Sequence, residues 1–180
     1  LDRHQNIYKV ASGDLNPAFD QAVEWAEEVF CVPIPRKADV VISVAPYPMD
    51  VDLYQSQKAL DNGKWALKDG GRIVMVSKCR EGTGSDSFLK LLSSSKDPNE
   101  VIKKIGEGYK LGYHKAAKMA EIATWAKVGA VTDLDDSIIE SANITPYKTV
   151  QDAVDEALKE NPEAEFIVLM DGSVTIPKVE

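Results

Sequence analysis

Five short apolar runs, at residues 7–11, 40–45, 72–77, 128–132 and 166–170, constrain this chain more than anything else in it, because most are continuous rather than alternating. A strand with one wet face alternates apolar and polar side chains, whereas a continuous run belongs to a strand covered on both faces. Stretches with helical apolar spacing separate the runs, at residues 17–29, 53–67, 85–92, 99–105, 112–126 and 150–159. Alternation of the two kinds of segment predicts an α/β fold: a three-layer sandwich built on a mostly parallel, doubly wound, Rossmann-like sheet.

Local chemistry at the boundaries agrees with this reading. Pro17 suits a first helical turn, Asp69-Gly70-Gly71 is expected to stop a helix before a strand, and Thr149 can cap the last helix. With 180 residues, 44% of them apolar, the chain can bury one core, and the polar stretch 93–98 is too short for a linker. A single α/β domain over 1–180 is therefore expected. Because the first residue is Leu1 rather than Met, and a strand-like run follows almost at once, the chain reads as a fragment of something longer.

Twenty-one basic residues against 29 acidic ones give a net charge of −8, which repels phosphate backbones and anionic bilayers, so neither nucleic acid nor membrane is expected as a partner. No run reaches membrane-spanning length and no signal-peptide layout is present, so a cytoplasmic protein is expected. Cys31 and Cys79 sit in no metal-ligand spacing and read as two free thiols. His4 alone does not make a metal site, no histidine falls in a triad motif, and the expectation is no metal ligands and no catalytic residue within this chain.

In an open parallel sheet ligands gather beyond the carboxyl ends of the strands. Three segments qualify. After the second run comes Pro46-Tyr47-Pro48-Met49-Asp50-Val51-Asp52-Leu53-Tyr54-Gln55-Ser56-Gln57-Lys58, which opens a helix. There Leu53, Leu60 and Leu67 fall on one helical face, and Gln55, Lys58 and Asn62 nearly opposite. Spacing alone favours a plain explanation, with Asp52 and Gln55 as a capping box and Lys58 as a solvated residue. The second segment, Ser77-Lys78-Cys79-Arg80-Glu81-Gly82-Thr83-Gly84, offers a glycine turn whose backbone N–H groups can face an anion, although Glu81 opposes a phosphate. The third, Gly112-Tyr113-His114-Lys115, puts a titratable imidazole at a helix start. Trp25, Trp65 and Trp125 read as packing between helix and sheet.

Taken together, Ala38-Asp39-Val40-Val41-Ile42, Tyr47-Pro48-Met49-Asp50 and Asp52-Leu53-Tyr54-Gln55 with Lys58 resemble the C-terminal domain of the nickel-pincer lactate racemase family. The likeness runs on through Lys68-Asp69-Gly70-Gly71-Arg72-Ile73, Cys79-Arg80-Glu81-Gly82-Thr83-Gly84 with Phe88, and Gly172-Ser173-Val174-Thr175-Ile176-Pro177. The resemblance implies a 2-hydroxy acid racemase or epimerase that works by hydride transfer to a nickel pincer nucleotide. That cofactor would be tethered to a lysine of an N-terminal domain whose paired histidines act as acid and base. This chain would then be the far wall of an interdomain cleft, with its own N-terminal domain as partner and inactive alone. Tyr54, Gln55 and Lys58 match positions lining the cofactor and substrate pocket. Tyr113-His114-Lys115-Ala116 departs from the pattern where lactate-specific members carry a tryptophan, which makes His114 or Lys115 a polar wall. It implies a 2-hydroxy acid other than lactate, one with a second polar or anionic group. The alternative is a non-catalytic α/β domain that binds a nucleotide or organic anion at the carboxyl edge of its sheet; a third reading is a structural domain whose caps and turns account for all these residues.

Overall fold

A computed structural model of the chain describes residues 1–2 and 4–180. Helix α1 (Leu15–Phe30) leads into β1 (Cys31–Ile34) and β2 (Ala38–Val44); α2 (Leu53–Gly63) follows and returns to β3 (Leu67–Val76). Three helices, α3 (Asp86–Leu92), α4 (Pro98–Ile105) and α5 (Tyr113–Ala123), precede β4 (Lys127–Val131). Then come α6 (Asp136–Ser141), β5 (Thr145–Tyr147), α7 (Val150–Glu160), β6 (Phe166–Leu169) and β7 (Ile176–Val179).

Five strands form one parallel sheet in the order β5-β4-β3-β2-β6, and β1 pairs in parallel with β7 in a separate ribbon. Side chains alternate across β3: Ile73 and Met75 join the core shared with α2 to α6, while Val74 faces Tyr147 and Ala153 of α7. Helices thus cover both faces, the doubly wound arrangement expected from the continuous runs. Ile73, Val74 and Met75 are fully buried, and each contributes about 1.5–3 kcal/mol of apolar burial.

Several expectations need correction. The run at 7–11 forms no strand: Ile7 and Val10 are about three-quarters exposed, and the segment is tied to α1 by Tyr8 Oη and Lys9 Nζ, both donating to Glu28 Oε2. The helix expected to run to residue 67 ends at Gly63, and Leu67 already opens β3. Asp69-Gly70-Gly71 lies inside that strand as an irregularity, with Gly70 at φ 77° donating its N–H to the Trp125 carbonyl. A side chain on Gly71 would sit 2.7 Å from the Asp39 carbonyl, so the strand needs glycine there. Strands β1, β5 and β7 were not anticipated, because each contains a proline, at Pro33, Pro146 and Pro177. All three are edge strands, the one place a missing N–H is tolerated. Helix α6 was also missed. Trp125 packs against the core as expected, but Trp65 is half exposed under the Lys64 ammonium.

Helix α2 sits close on the sheet because the residues between them are small. Buried Ser43 of β2 donates its hydroxyl to the Ala59 carbonyl at 2.7 Å, and Gly63 lies against the same serine. Gly172, after β6, reaches Val44 O through its N–H at 2.8 Å and accepts from Asn62 Nδ2 at 2.8 Å. Asn62 is therefore half-buried in a structural bond rather than on the outward face with Gln55 and Lys58. A methyl on Gly172 would lie 1.9 Å from Ser43 Oγ. Gly172→Ala is accordingly expected to lower stability by about 1–3 kcal/mol, read as a fall in urea midpoint; Ser43→Ala in the same chain should recover part of the loss.

Candidate functional site

Beyond the carboxyl ends of β2 and β3, two loops are sewn to each other. Arg80 N donates to Asp50 O at 3.1 Å, Glu81 N to Val51 O at 2.7 Å, Gly82 N to Cys79 O at 2.9 Å and Leu53 N to Gly82 O at 3.1 Å. The nearly buried Asp50 carboxylate accepts from Arg80 Nε at 3.2 Å and Nη2 at 3.1 Å. The backbone donors of Arg80 and Glu81, which the sequence offered to an anion, are thus spent on the neighbouring loop, and that of Gly82 closes a turn within its own. Gly82 and Gly84 do adopt positive φ, 92° and 80°, and a side chain on Gly84 would lie 2.8 Å from Tyr54 Cβ. Glycine here lets the second loop lie against the first turn of α2.

The start of α2 is fixed from beneath. Asp52 Oδ1 accepts the Gln55 N–H at 2.6 Å, one half of the expected capping box. Buried Ser56 shares its hydroxyl with Asp52 O at 2.7 Å, Met49 O at 3.1 Å and Ser77 Oγ at 2.6 Å. This ties the helix start to the end of β3. Cys79 lies buried beside both serines, its thiol pushed above the usual cysteine range by burial, and neither cysteine is bonded in a disulfide. Two free thiols match the sequence reading.

On this support Tyr54, Gln55 and Lys58 project within a helical arc of about 100°. The Tyr54 ring meets Phe88 edge-on at 5.5 Å and His114 at 6.5 Å. His114 itself is exposed, stacked on Tyr109 at 6.3 Å, with Nδ1 3.0 Å from the Tyr109 hydroxyl. Lys58 Nζ reaches only the Met49 sulfur at 3.4 Å, and the Gln55 side chain makes no hydrogen bond among the described residues. Three of the four residues singled out from sequence, Tyr54, Lys58 and His114, therefore share one neighbourhood with ring contacts or helix spacing joining them. Gln55 stands at its rim.

Lys115 was read as part of a polar wall and not counted among the binding residues, yet it is the most tightly held group of the cluster. Its ammonium donates to the Tyr54 carbonyl at 2.7 Å and lies 4.0 Å from the Tyr54 ring centroid. Tyr109 was missed altogether; the density of aromatic residues on either side of Gly112, which turns the chain at φ 101°, was its only signal. Burial, and next the neighbouring Lys58 ammonium, hold Lys115 below the usual lysine value, while Asp52 and Asp61 pull the other way. Among the described residues no group of three or more His, Cys, Asp or Glu is gathered for a metal, and no helix is long and apolar enough to cross a membrane. Two ammonium groups, an amide and a phenol come to one edge here, groups whose chemistry can meet an anion.

Because the fold favours neutral Lys115, the folded chain binds fewer protons than the unfolded chain between that lowered value and 10.5, and stability rises with pH across the window. Urea midpoints of wild type and Lys115→Met, measured from about pH 8 to about pH 10.5, should move in favour of wild type as pH increases. A difference independent of pH would contradict the assignment.

Residues 34–176 match the family model for the lactate racemase C-terminal domain. The chain is 32% identical over 160 residues to the lactate racemase of Thermoanaerobacterium thermosaccharolyticum, covering 86% of this chain and 37% of that protein. It is 29% identical over 185 aligned positions to the lactate racemase of Lactiplantibacillus plantarum, covering 99% and 43%. The apoprotein structure of the Thermoanaerobacterium enzyme superposes with a TM-score of 0.83 at 30% identity, over 91% of this chain and 40% of the other. A Thermotoga maritima protein shares the fold at a TM-score of 0.61 and 13% identity. The chain spans between 37% and 43% of the length of the curated relatives it matches.

Proposed function

This chain belongs to the family of lactate racemase C-terminal domains, and on that premise we propose that it closes the active-site cleft of a larger cytoplasmic racemase or epimerase acting on 2-hydroxy acids. Residues 1–180 form the C-terminal α/β half of a two-domain enzyme, and the partner is that enzyme's own N-terminal domain, since the relatives are more than twice as long. The convergence of Tyr54, Lys58, His114 and Lys115 at the carboxyl edge of the parallel sheet carries this reading.

With two ammonium groups and a single imidazole, the donor set accords with a carboxylate or phosphate rather than with a transition metal, which needs several imidazole, thiolate or carboxylate ligands together. In such an enzyme a nickel pincer nucleotide, held chiefly by residues outside this chain, would supply a transient acceptor for the α-carbon hydride. Lys58 binds the carboxylate of the 2-hydroxy acid, fixing the α-carbon in place and offsetting negative charge as the centre turns planar. Gln55 offers an amide donor and acceptor to the substrate hydroxyl or to the cofactor. Tyr54, locked between Phe88 and Lys115, supplies a rigid wall that excludes water. The acid and base that move the hydroxyl proton come from the other domain. With His114 and Lys115 in place of an apolar wall, the substrate is a 2-hydroxy acid other than lactate.

In the full-length enzyme Lys58→Ala is expected to lower kcat/KM by roughly 10²–10³-fold, with Lys58→Arg recovering part of it, while the 180-residue chain alone interconverts no 2-hydroxy acid enantiomers. If Lys58→Ala and Gln55→Ala both left activity intact, the domain would be a structural one.

A further inference from the structure

The seam between α2 and α5 distributes its charges unevenly. Asp61 of α2 serves two cations, Lys64 Nζ at 2.8 Å and Lys118 Nζ of α5. One turn nearer the loop edge, Lys58 and Lys115 have no carboxylate at all: neither takes part in an ion pair among the described residues. Both are partly buried, unlike the fully solvated lysines elsewhere on the surface that also lack a partner. The carboxylate with the strongest pull on Lys115 is Asp52, one of whose oxygens caps α2 and which forms no ion pair with either lysine. Two half-buried ammonium groups that repel each other, with no carboxylate in contact, gain from an anion that arrives between them.

The two cations are also held differently. Lys58 reaches only a thioether, a weak acceptor, so its ammonium is free to turn toward a ligand. Lys115 is pinned by the Tyr54 carbonyl and ring, and of its three ammonium hydrogens the carbonyl takes one. They come from different helices, and each keeps ammonium hydrogens that no protein oxygen takes, so the pair can receive two anionic groups at once. From this arrangement we infer that Lys115 is a second anion-binding residue of the site, and that the substrate is a 2-hydroxy dicarboxylate, whose 1-carboxylate meets Lys58 and whose distal carboxylate meets Lys115. The inference rests on the assignment of Lys58 as the carboxylate contact and goes beyond it by naming the second group and its partner. Desolvation of Lys115 supports it, since a cation already stripped of part of its water gains more from an incoming anion than a solvated one.

The test is an NMR titration of the full-length enzyme with ¹³C-labelled lysine at constant ionic strength, using malate, lactate and inorganic phosphate, with the two resonances assigned through Lys58→Met and Lys115→Met. Malate is expected to move the Lys58 and Lys115 signals together and to bind about tenfold tighter than lactate, the gain of one more charge-assisted contact. Lactate should move Lys58 alone. Lys115→Met should bring malate down to the level of lactate without changing lactate, and Lys115→Arg, which keeps the charge, should retain the preference. Lactate moving Lys58 with malate no tighter, or phosphate matching malate, would overturn the dicarboxylate inference and leave the carboxylate role of Lys58 standing. If no 2-hydroxy acid moved Lys58, both would fall.

Discussion

Everything in this structure that matters for chemistry depends on how closely α2 approaches the sheet. Strand β2 lies between β3 and β6, and its buried Ser43 is the point of contact, with its hydroxyl on the Ala59 carbonyl and its Cβ against Gly63. A larger residue at any of Ala59, Gly63 or Gly172 would lift the helix. Since a parallel strand must be followed by a crossover, the helix axis, once seated, determines where its first turn projects past the strand ends. Tyr54 and Gln55 are on that first turn and Lys58 is on the next. Their placement is a packing consequence, settled well away from the side chains themselves.

The same edge shows two ways of spending polar groups. Around Asp50, Arg80, Ser56 and Ser77 every group is paired, which makes the loops after β2 and β3 one rigid body. Further out, at Lys58 and Lys115, ion pairing stops among the described residues. Satisfied networks rigidify and unsatisfied charges favour a ligand; here the first lies beneath the second.

How much of this was legible in the sequence follows from the range over which each signal acts. The continuous runs at 40–45, 72–77 and 128–132 identified central strands because burial on both faces is written into consecutive residues. Cys31–Ile34, Thr145–Tyr147 and Ile176–Val179 were invisible because proline marks them as breaks, and only the sheet order reveals that each lies at an edge. Asp69-Gly70-Gly71 was read as a helix stop because a left-handed glycine serves equally at a helix end and at a strand irregularity. At the site, helix period alone put Gln55 and Lys58 on one outward arc; it put Asn62 there too, which turns inward to Gly172, and Tyr54 came from the resemblance. The engagement of Lys115 was not legible, because it depends on how α5 crosses α2, and the loss of the Arg80 and Glu81 N–H groups depends on a loop thirty residues earlier in the chain.

The strand order has a kinetic corollary. Both neighbours of β2 are needed to cover its edges, but β3 comes directly after it in the chain, whereas β6 is contributed by residues made long afterwards, once β4, β5 and α7 have been laid down. Until Phe166–Leu169 dock, one edge of Ala38–Val44 presents unpaired N–H and C=O groups on a segment whose only charge is Asp39. Such an edge is a template for another chain. During synthesis the stretch most protected in the finished fold is the most adhesive one, and the closing of β6 against it separates a soluble product from an aggregating intermediate.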